Sequence, residues 1–362
     1  MRIVSIIGCG RSGSTLLEGV LHERLDLTAL GEVTFIWEKG WIKDELCGCG
    51  VVFRECEFWS AVLRDAFGTI TERDARRFDA EFRAARGHLR NLTLAQGRFP
   101  EPSAVFIDVA RALYASAAKI GGDRPLIDSS KSSAFAAALR HTGIGRQSAL
   151  HMFRSATGNV HSLRTEKVRP HAATADYARL QSSKTLFHAI ARWKLLNEQA
   201  QQFSQKVDPG TVTISYESFC ATPEQHLEAI TAASDFEPRR GSPPDSWHSV
   251  SGNPMRFDST AMPICVDDRW KQEMGLFARM ITRALTAGQE ARLDVAAELW
   301  MERAVEQLSP ASFENACAET GSRAHLAAGD AAVSPPSGRQ RTLADSGHAT
   351  VRDVGLRRGP SV

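Results

Sequence analysis

Gly8-Cys9-Gly10-Arg11-Ser12-Gly13-Ser14-Thr15 is the stretch on which the fold turns. It follows Ile3 to Ile7, a short β-branched run stopped by glycine, which predicts a buried central strand. It precedes Ser14 to Leu25, where Leu16, Leu17, Val20 and Leu21 share one helical face. Between a strand and a helix, glycines let the backbone turn tightly and aim successive N–H groups inward. The helix that follows adds its positive N-terminal end, so the loop reads as an anion cradle with Arg11 embedded in it.

The frame matches the nucleoside-triphosphatase pattern G-x-x-x-x-G-K-[ST] except that Ser14 stands where the lysine belongs. Kinases and ATPases use that lysine, with magnesium, on the transferring phosphate. A kinase or nucleotide hydrolase with Asp108 or Asp128 on magnesium is therefore a rival reading, and a catalytically inactive nucleotide-binding protein is another. A turn without a ligand is the bland alternative for the loop.

Further along, helices are expected at Glu57–Phe67, Arg73–Leu94 and Ser103–Ile120. Strand Pro125–Asp128 follows, then helix Ser132–Arg140, strand Ser148–Phe153 and a helix from Thr157. Helix Tyr177–Phe203, strand Thr211–Ser215 and helix Pro223–Ser234 complete the pattern. Strands alternating with helices imply βαβ units. The expected fold is α/β, a P-loop-type parallel β-sheet flanked by helices, in a single domain (1–317) with helical insertions. From 318 to 362 the composition turns to Ala, Gly, Ser, Pro and Arg and predicts a disordered tail.

The 362 residues, 43% hydrophobic, suffice for one substantial core. Charged residues make up 24% and leave a net charge of only +2, which argues against a protein that coats nucleic acid or anionic membrane. No apolar run is long enough to span a bilayer, and Met1-Arg2 lacks the long apolar stretch of a signal peptide. Seven cysteines, an odd number, suit a reducing compartment, so the expected location is cytoplasmic.

Arg11-Ser12-Gly13-Ser14-Thr15 resembles the 5′-phosphosulfate loop [RK]-S-G-[ST]-T of the sulfotransferase superfamily. A second element agrees: strand Ala149–Phe153 ends in Arg154, and Ser162 follows eight residues later. In that family an arginine and a serine at this spacing hold the donor's 3′-phosphate. Met152-Phe153-Arg154 through Ser162 is similar to the tyrosylprotein sulfotransferase branch, as is Gly31-Glu32, 21 positions after Arg11. Leu30-Gly31-Glu32 with Trp37-Glu38, Leu46-Cys47-Gly48-Cys49-Gly50 and Cys56 resembles bacterial members of the third sulfotransferase group. The likeness runs from about Met1 to Leu285. It implies transfer of a sulfuryl group from 3′-phosphoadenosine 5′-phosphosulfate, as donor co-substrate, to a hydroxyl or amine, with no metal required.

The resemblance assigns roles. Glu32 corresponds to the general base, whereas alone it reads as a surface acid. Lys131, in Asp128-Ser129-Ser130-Lys131, is expected near the bridging oxygen, neutralising the departing 5′-phosphate with Arg11. Ser129 and Ser130 also read as helix caps. Gly10, Arg11, Ser12, Gly13, Ser14 and Thr15 are expected to bind the donor, with Arg154, Ser162 and Tyr216. Ser251, Asn253 and Arg256, within Ser251-Gly252-Asn253-Pro254-Met255-Arg256, resemble the loop over the adenosine and its 3′-phosphate, although Gly-Asn-Pro is also an ordinary turn.

Other motifs read as structural. Asp267-Asp268 with Trp270-Lys271 suggests a capped helix. His22, His151 and His161 read as packing residues. Cys47, Cys49 and Cys56 at C-x-C-x6-C lack a clear fourth ligand, so no metal ligand is assigned. The acceptor, a small molecule, carbohydrate, lipid, phenol or peptide, has no interpretable code, although Phe35–Lys43 and Val168–Lys184 are expected to line its pocket.

Overall fold

A computed structural model of the chain describes residues 1–87, 92–165, 167–168, 179–180, 184–234, 236–241, 247–257 and 264–307. In chain order the elements are β1 Arg2–Ile7, α1 Ser14–Arg24, β2 Thr28–Gly31, α2 Glu57–Phe67, α3 Glu72–Arg86, α4 Leu92–Ala95, α5 Ala104–Ile120 and β3 Leu126–Lys131. There follow α6 Ser133–Arg140, β4 Arg146–Phe153, α7 Ala156–Arg164, β5 Lys167–Val168, β6 Arg179–Leu180, α8 Leu186–Lys206 and β7 Val212–Ser215. The described chain ends with α9 Tyr216–Ala221, α10 Pro223–Ser234, α11 Trp270–Glu273 and α12 Leu276–Gln307. The expected tail at 318–362 lies outside the described residues.

Five parallel strands form the central sheet in the order β2-β3-β1-β4-β7. Alternation along β1 serves both faces, as a buried strand must. Val4 and Ile6 pack with Leu16, Leu17, Val20 and Leu21 of α1, each at most 4% exposed. Ile3 faces the other way, into a core with Trp37, Phe82, Phe106 and Phe135. Each such side chain contributes roughly 1.5–3 kcal/mol on burial. That second core is filled by the helical insertion between β2 and β3. Within the insertion, α3 starts at a capping box: the Thr71 side chain accepts from Asp74 N (3.2 Å) while Asp74 accepts from Thr71 N (3.1 Å).

The α/β class stands as read, with local corrections. Strand β2 escaped the pattern, having only four residues, two of them the poor strand formers Ala29 and Gly31. It exists because β3 pairs with it, Ala29 beside Ile127. Strand β3 runs through Ser129 and Ser130 to Lys131, so neither serine caps a helix; Ser132 does, accepting from Phe135 N at 3.2 Å. Helix α3 stops at Arg86 rather than continuing to Leu94. Helix α8 begins at Leu186, where Thr185 caps it, instead of Tyr177. Strand β7 ends at Ser215, which caps α9, and Tyr216 opens that helix. Trp270 starts a one-turn helix with no side-chain cap. No helix among the described residues is long and apolar enough to cross a membrane.

Candidate active site

The sheet order places the site. Leaving β1, the chain crosses to β2 on one side, while β4 adds to the other, so a crevice opens between the carboxyl ends of β1 and β4. Ile7 lies beside both Lys131 of β3 and His151 of β4. Gly31 lies beside Asp128, and Phe153 beside Ser215. The residues at and just beyond the five adjacent strand ends are therefore Gly8–Arg11, Glu32, Lys131, Arg154 and Tyr216. A cleft of about 1270 Å³ opens there.

Its floor is the loop from Gly8 to Gly13. Gly13 stands at the N-cap of α1 with φ +88°, and a Cβ there would meet the Tyr216 ring at 2.4 Å, so only glycine fits. No side chain caps the helix, leaving its first N–H groups toward the cleft. Asn159 of α7, fully buried, ties the loop down by donating to Gly10 O (3.1 Å) and Ser12 Oγ (3.0 Å). Sequence reading missed it because nothing local ties position 159 to position 10.

Arg11 donates from Nε to Ser162 Oγ at 3.1 Å, so the first-loop arginine and the α7 serine meet directly. Arg154, 5% exposed, donates to Asp267 O, lies 3.5 Å from Asp267 Oδ2 and stacks 4.8 Å over the Tyr216 ring. Its Nε is buried with no hydrogen-bond partner among the described residues, as is Nε of Arg192 on α8, which also lines the cleft. Nε of Arg239 and Arg279, outside the cleft, is unpaired in the same way, so it is the position of Arg154 and Arg192 in the cleft lining that makes them available to an anion. Burial, then the neighbouring Arg154 cation, lowers the Arg11 pKa from its ordinary value. The Arg269 guanidinium, with Arg154 behind it, holds the Asp267 carboxyl well below the usual carboxylate range despite burial. Asp267, read from sequence as a helix cap, is thus a counter-charge to Arg154. Tyr216 OH accepts from Asp267 N at 3.0 Å, and burial pushes its pKa up to about 12.

On the opposite side Glu32 accepts from Lys131 Nζ and, at 3.2 Å, from Ser251 Oγ, while Lys39 Nζ lies 4.0 Å away. Gly31 positions it: its φ is +77°, and a Cβ would strike Val250 N at 2.4 Å. The segment bridges to Val250 through Glu32 N to Val250 O (2.7 Å) and Val250 N to Leu30 O (2.9 Å).

Beneath this segment lies Glu18 of α1, 1% exposed, accepting from Gly31 N (2.7 Å) and Ser129 Oγ (2.6 Å). Burial pushes its carboxyl up to about 7 from 4.5 despite those bonds. The native state then holds this proton more tightly than the unfolded chain, so the associated stability is complete below pH 4.5 and lost as pH rises through about 7. Glu18→Gln, whose amide oxygen accepts from Gly31 N while its NH2 donates to Ser129 Oγ, is expected to remove about 2–3 kcal/mol of the decline in stability between about pH 5 and about pH 8. Urea unfolding of the two proteins at both pH values measures this; equal pH slopes would contradict it.

Of the other residues singled out from sequence, Gly10, Ser14, Thr15 and Asn253 also line the cleft. Three do not. Ser12 is buried against Asn159. Ser251 sits behind Glu32, bonded to Lys39 Nζ at 2.7 Å, away from the Arg154 end where it was expected. Arg256 turns inward, donating to Ser249 O (3.3 Å), Ser251 O and Leu46 O (2.7 Å), so it braces the loop and is not among the residues that line the cleft. The magnesium carboxylates of the rival reading are also misplaced. Asp108 is on the exposed side of α5, and Asp128 is buried, accepting from Tyr114 OH (2.5 Å) and Ser130 N (2.8 Å). Phe35 and Lys39 line the cleft mouth, the Lys39 ammonium 4.1 Å over the ring. Of Val168–Lys184, most lies outside the described residues.

His151 is a buried partner of Asn197 (3.1 Å), and His22 stacks on Trp247. His161 pairs with Glu273 at 3.0 Å. His248, 192 residues beyond Cys56 in sequence, is brought against Cys47, Cys49 and Cys56.

Fold and cleft define an α/β protein with a glycine-rich loop, Arg11 and Arg154 at the carboxyl edge of its sheet. The chain belongs to the Sulfotransferase family, whose sequence profile matches residues 4–237. Two solved structures are similar to it. The sulfotransferase domain from the Synechococcus PCC 7002 olefin synthase shares 17% identity at a TM-score of 0.42, over 79% of this chain and 94% of that one. The sulfotransferase domain from the curacin biosynthetic pathway shares 15% at 0.44, over 80% and 97%. No curated protein sequence matches the chain.

Proposed function

We propose that this protein transfers a sulfuryl group from 3′-phosphoadenosine 5′-phosphosulfate to an acceptor hydroxyl or amine, with Glu32 as general base. The observation that carries the reading is one cleft lined by the loop with Arg11, by Arg154 with its unpartnered Nε, and by the Glu32–Lys131 pair. The donor's 5′-phosphosulfate rests on the loop N–H groups and Arg11, and its 3′-phosphate on Arg154 and Ser162, displacing Asp267. The acceptor enters past Phe35. Its oxygen or nitrogen attacks sulfur in line, the new bond forming as the bond from sulfur to the bridging oxygen breaks and the acceptor proton passes to Glu32. Lys131 exchanges Glu32 for the bridging oxygen, neutralising the leaving phosphate as it frees the base.

Binding and turnover test this together. Calorimetry is expected to show binding of adenosine 3′,5′-bisphosphate and far weaker binding of ATP–magnesium. Labelled sulfate from the donor is expected to appear on a component of a metabolite-extract panel. Tight ATP–magnesium binding without bisphosphate binding would return the kinase reading.

A further inference from the structure

The loop Cys47–Cys56 and the segment Trp247–Ser251 come together at a cluster that the transfer reaction does not use. The three Sγ atoms and one His248 ring nitrogen all lie within 4.8 Å of one another. Cys49 Sγ is 3.7 Å from Cys56 Sγ, and Cys56 Sγ is 3.2 Å from His248 Nδ1. A tetrahedral Zn²⁺ with bonds of about 2.3 Å to sulfur and 2.0 Å to nitrogen requires edges of about 3.8 Å and 3.5 Å. The side chains are thus gathered at nearly the required spacing. Thiolate and imidazole without a carboxylate select zinc over magnesium or calcium.

The surroundings are those of a closed site. Cys47 and Cys56 are fully buried, and Cys49 and His248 half-buried. A tight turn, Gly50 N to Cys47 O at 2.9 Å, brings Cys47 and Cys49 to one side. Cys56 stands at the N-cap of α2, its side chain making no capping hydrogen bond to the helix. The His248 ring is stacked on Phe58 (5.0 Å, 12°) and its carbonyl accepts from Trp59 Nε1 at 2.6 Å, so the imidazole is held in place from both ends. The three cysteines are free of disulfides.

We propose that Cys47, Cys49, Cys56 and His248 bind one Zn²⁺ as a structural site. Four protein ligands leave no open position, so the ion takes no part in chemistry. Its place in the fold defines what it does, which is to knot the Cys47–Cys56 loop to the segment that runs on through Ser249, Val250 and Ser251. Gly48 N to Ser249 O (3.0 Å) continues the knot, Val250 O receives Glu32 N, and Ser251 Oγ reaches the Glu32 carboxylate. The ion fixes the wall against which Glu32 is set, and this holds whatever reaction Glu32 serves.

Metal analysis of the full chain, purified without a metal-affinity tag, provides the test. About one zinc per chain is expected, and replacement by Co²⁺ is expected to give the visible bands of a tetrahedral thiolate site. His248→Ala and Cys49→Ser are each expected to weaken zinc binding by at least about tenfold in competition with a chelator. Circular dichroism establishes that each variant is folded, and the wild-type stoichiometry and cobalt spectrum decide the matter if either is not. Wild-type protein with no zinc, no cobalt spectrum or a Cys49–Cys56 disulfide would overturn the proposal, as would undiminished zinc affinity in both folded variants.

Discussion

Glu32→Gln is expected to lower turnover by about 10²–10⁴-fold, the range that a positioned base supplies, while leaving the affinity for adenosine 3′,5′-bisphosphate nearly unchanged. The substitution is close to isosteric: the amide oxygen still accepts from Lys131, and the NH2 that replaces the second oxygen donates to Ser251 Oγ in place of accepting from it. What is lost is the ability to take a proton. The bisphosphate lacks the sulfuryl group and the acceptor, so its binding does not report on the base. Steady-state transfer and calorimetry on the same preparation separate the two effects. Normal turnover would remove Glu32 from the role of base, and lost affinity with the turnover would reassign it to binding.

Arg154→Ala is expected to weaken bisphosphate binding on the order of 100-fold, about 3 kcal/mol, because one guanidinium carries charge-assisted contacts to a phosphate. The structure gives this side chain an unusual degree of support: Tyr216 beneath it, Trp193 Nε1 donating to its carbonyl at 2.9 Å, and Asp267 beside it. Arg154→Lys, which keeps the charge and loses the planar fork, is expected to recover only part of the affinity. Full recovery by lysine would mean a diffuse electrostatic effect in place of a built contact. An unchanged affinity in Arg154→Ala would place the 3′-phosphate elsewhere.

The strand, loop and helix from Arg2 to Arg24 were legible because every signal is local: β-branched residues, glycines, then an apolar stripe. That Arg11, Arg154 and Ser162 line one cleft was legible only through resemblance, yet its cause is simple. β1 and β4 are parallel neighbours, so whatever follows each must share one edge. What stayed hidden depends on distant partners. Glu18 looks like a surface acid in a helix until Gly31 N and Ser129 Oγ fold onto it. Asp267 looks like a cap until Arg154 arrives. His248 has no spacing signal at all with respect to Cys56. Arg256 differs from its reading in another way: its loop promised a place over the donor, but its two terminal nitrogens donate to carbonyls of Ser249, Ser251 and Leu46.

Every assignment in the cleft rests on two basic groups, set at neighbouring strand ends, gripping one nucleotide at both of its phosphates. A crystal structure with adenosine 3′,5′-bisphosphate tests this most directly. The 5′-phosphate is expected on the loop N–H groups beside Arg11, and the 3′-phosphate on Arg154 and Ser162, with Asp267 moved off the guanidinium. Bisphosphate bound outside the cleft, with Arg154 still paired to Asp267, would contradict it.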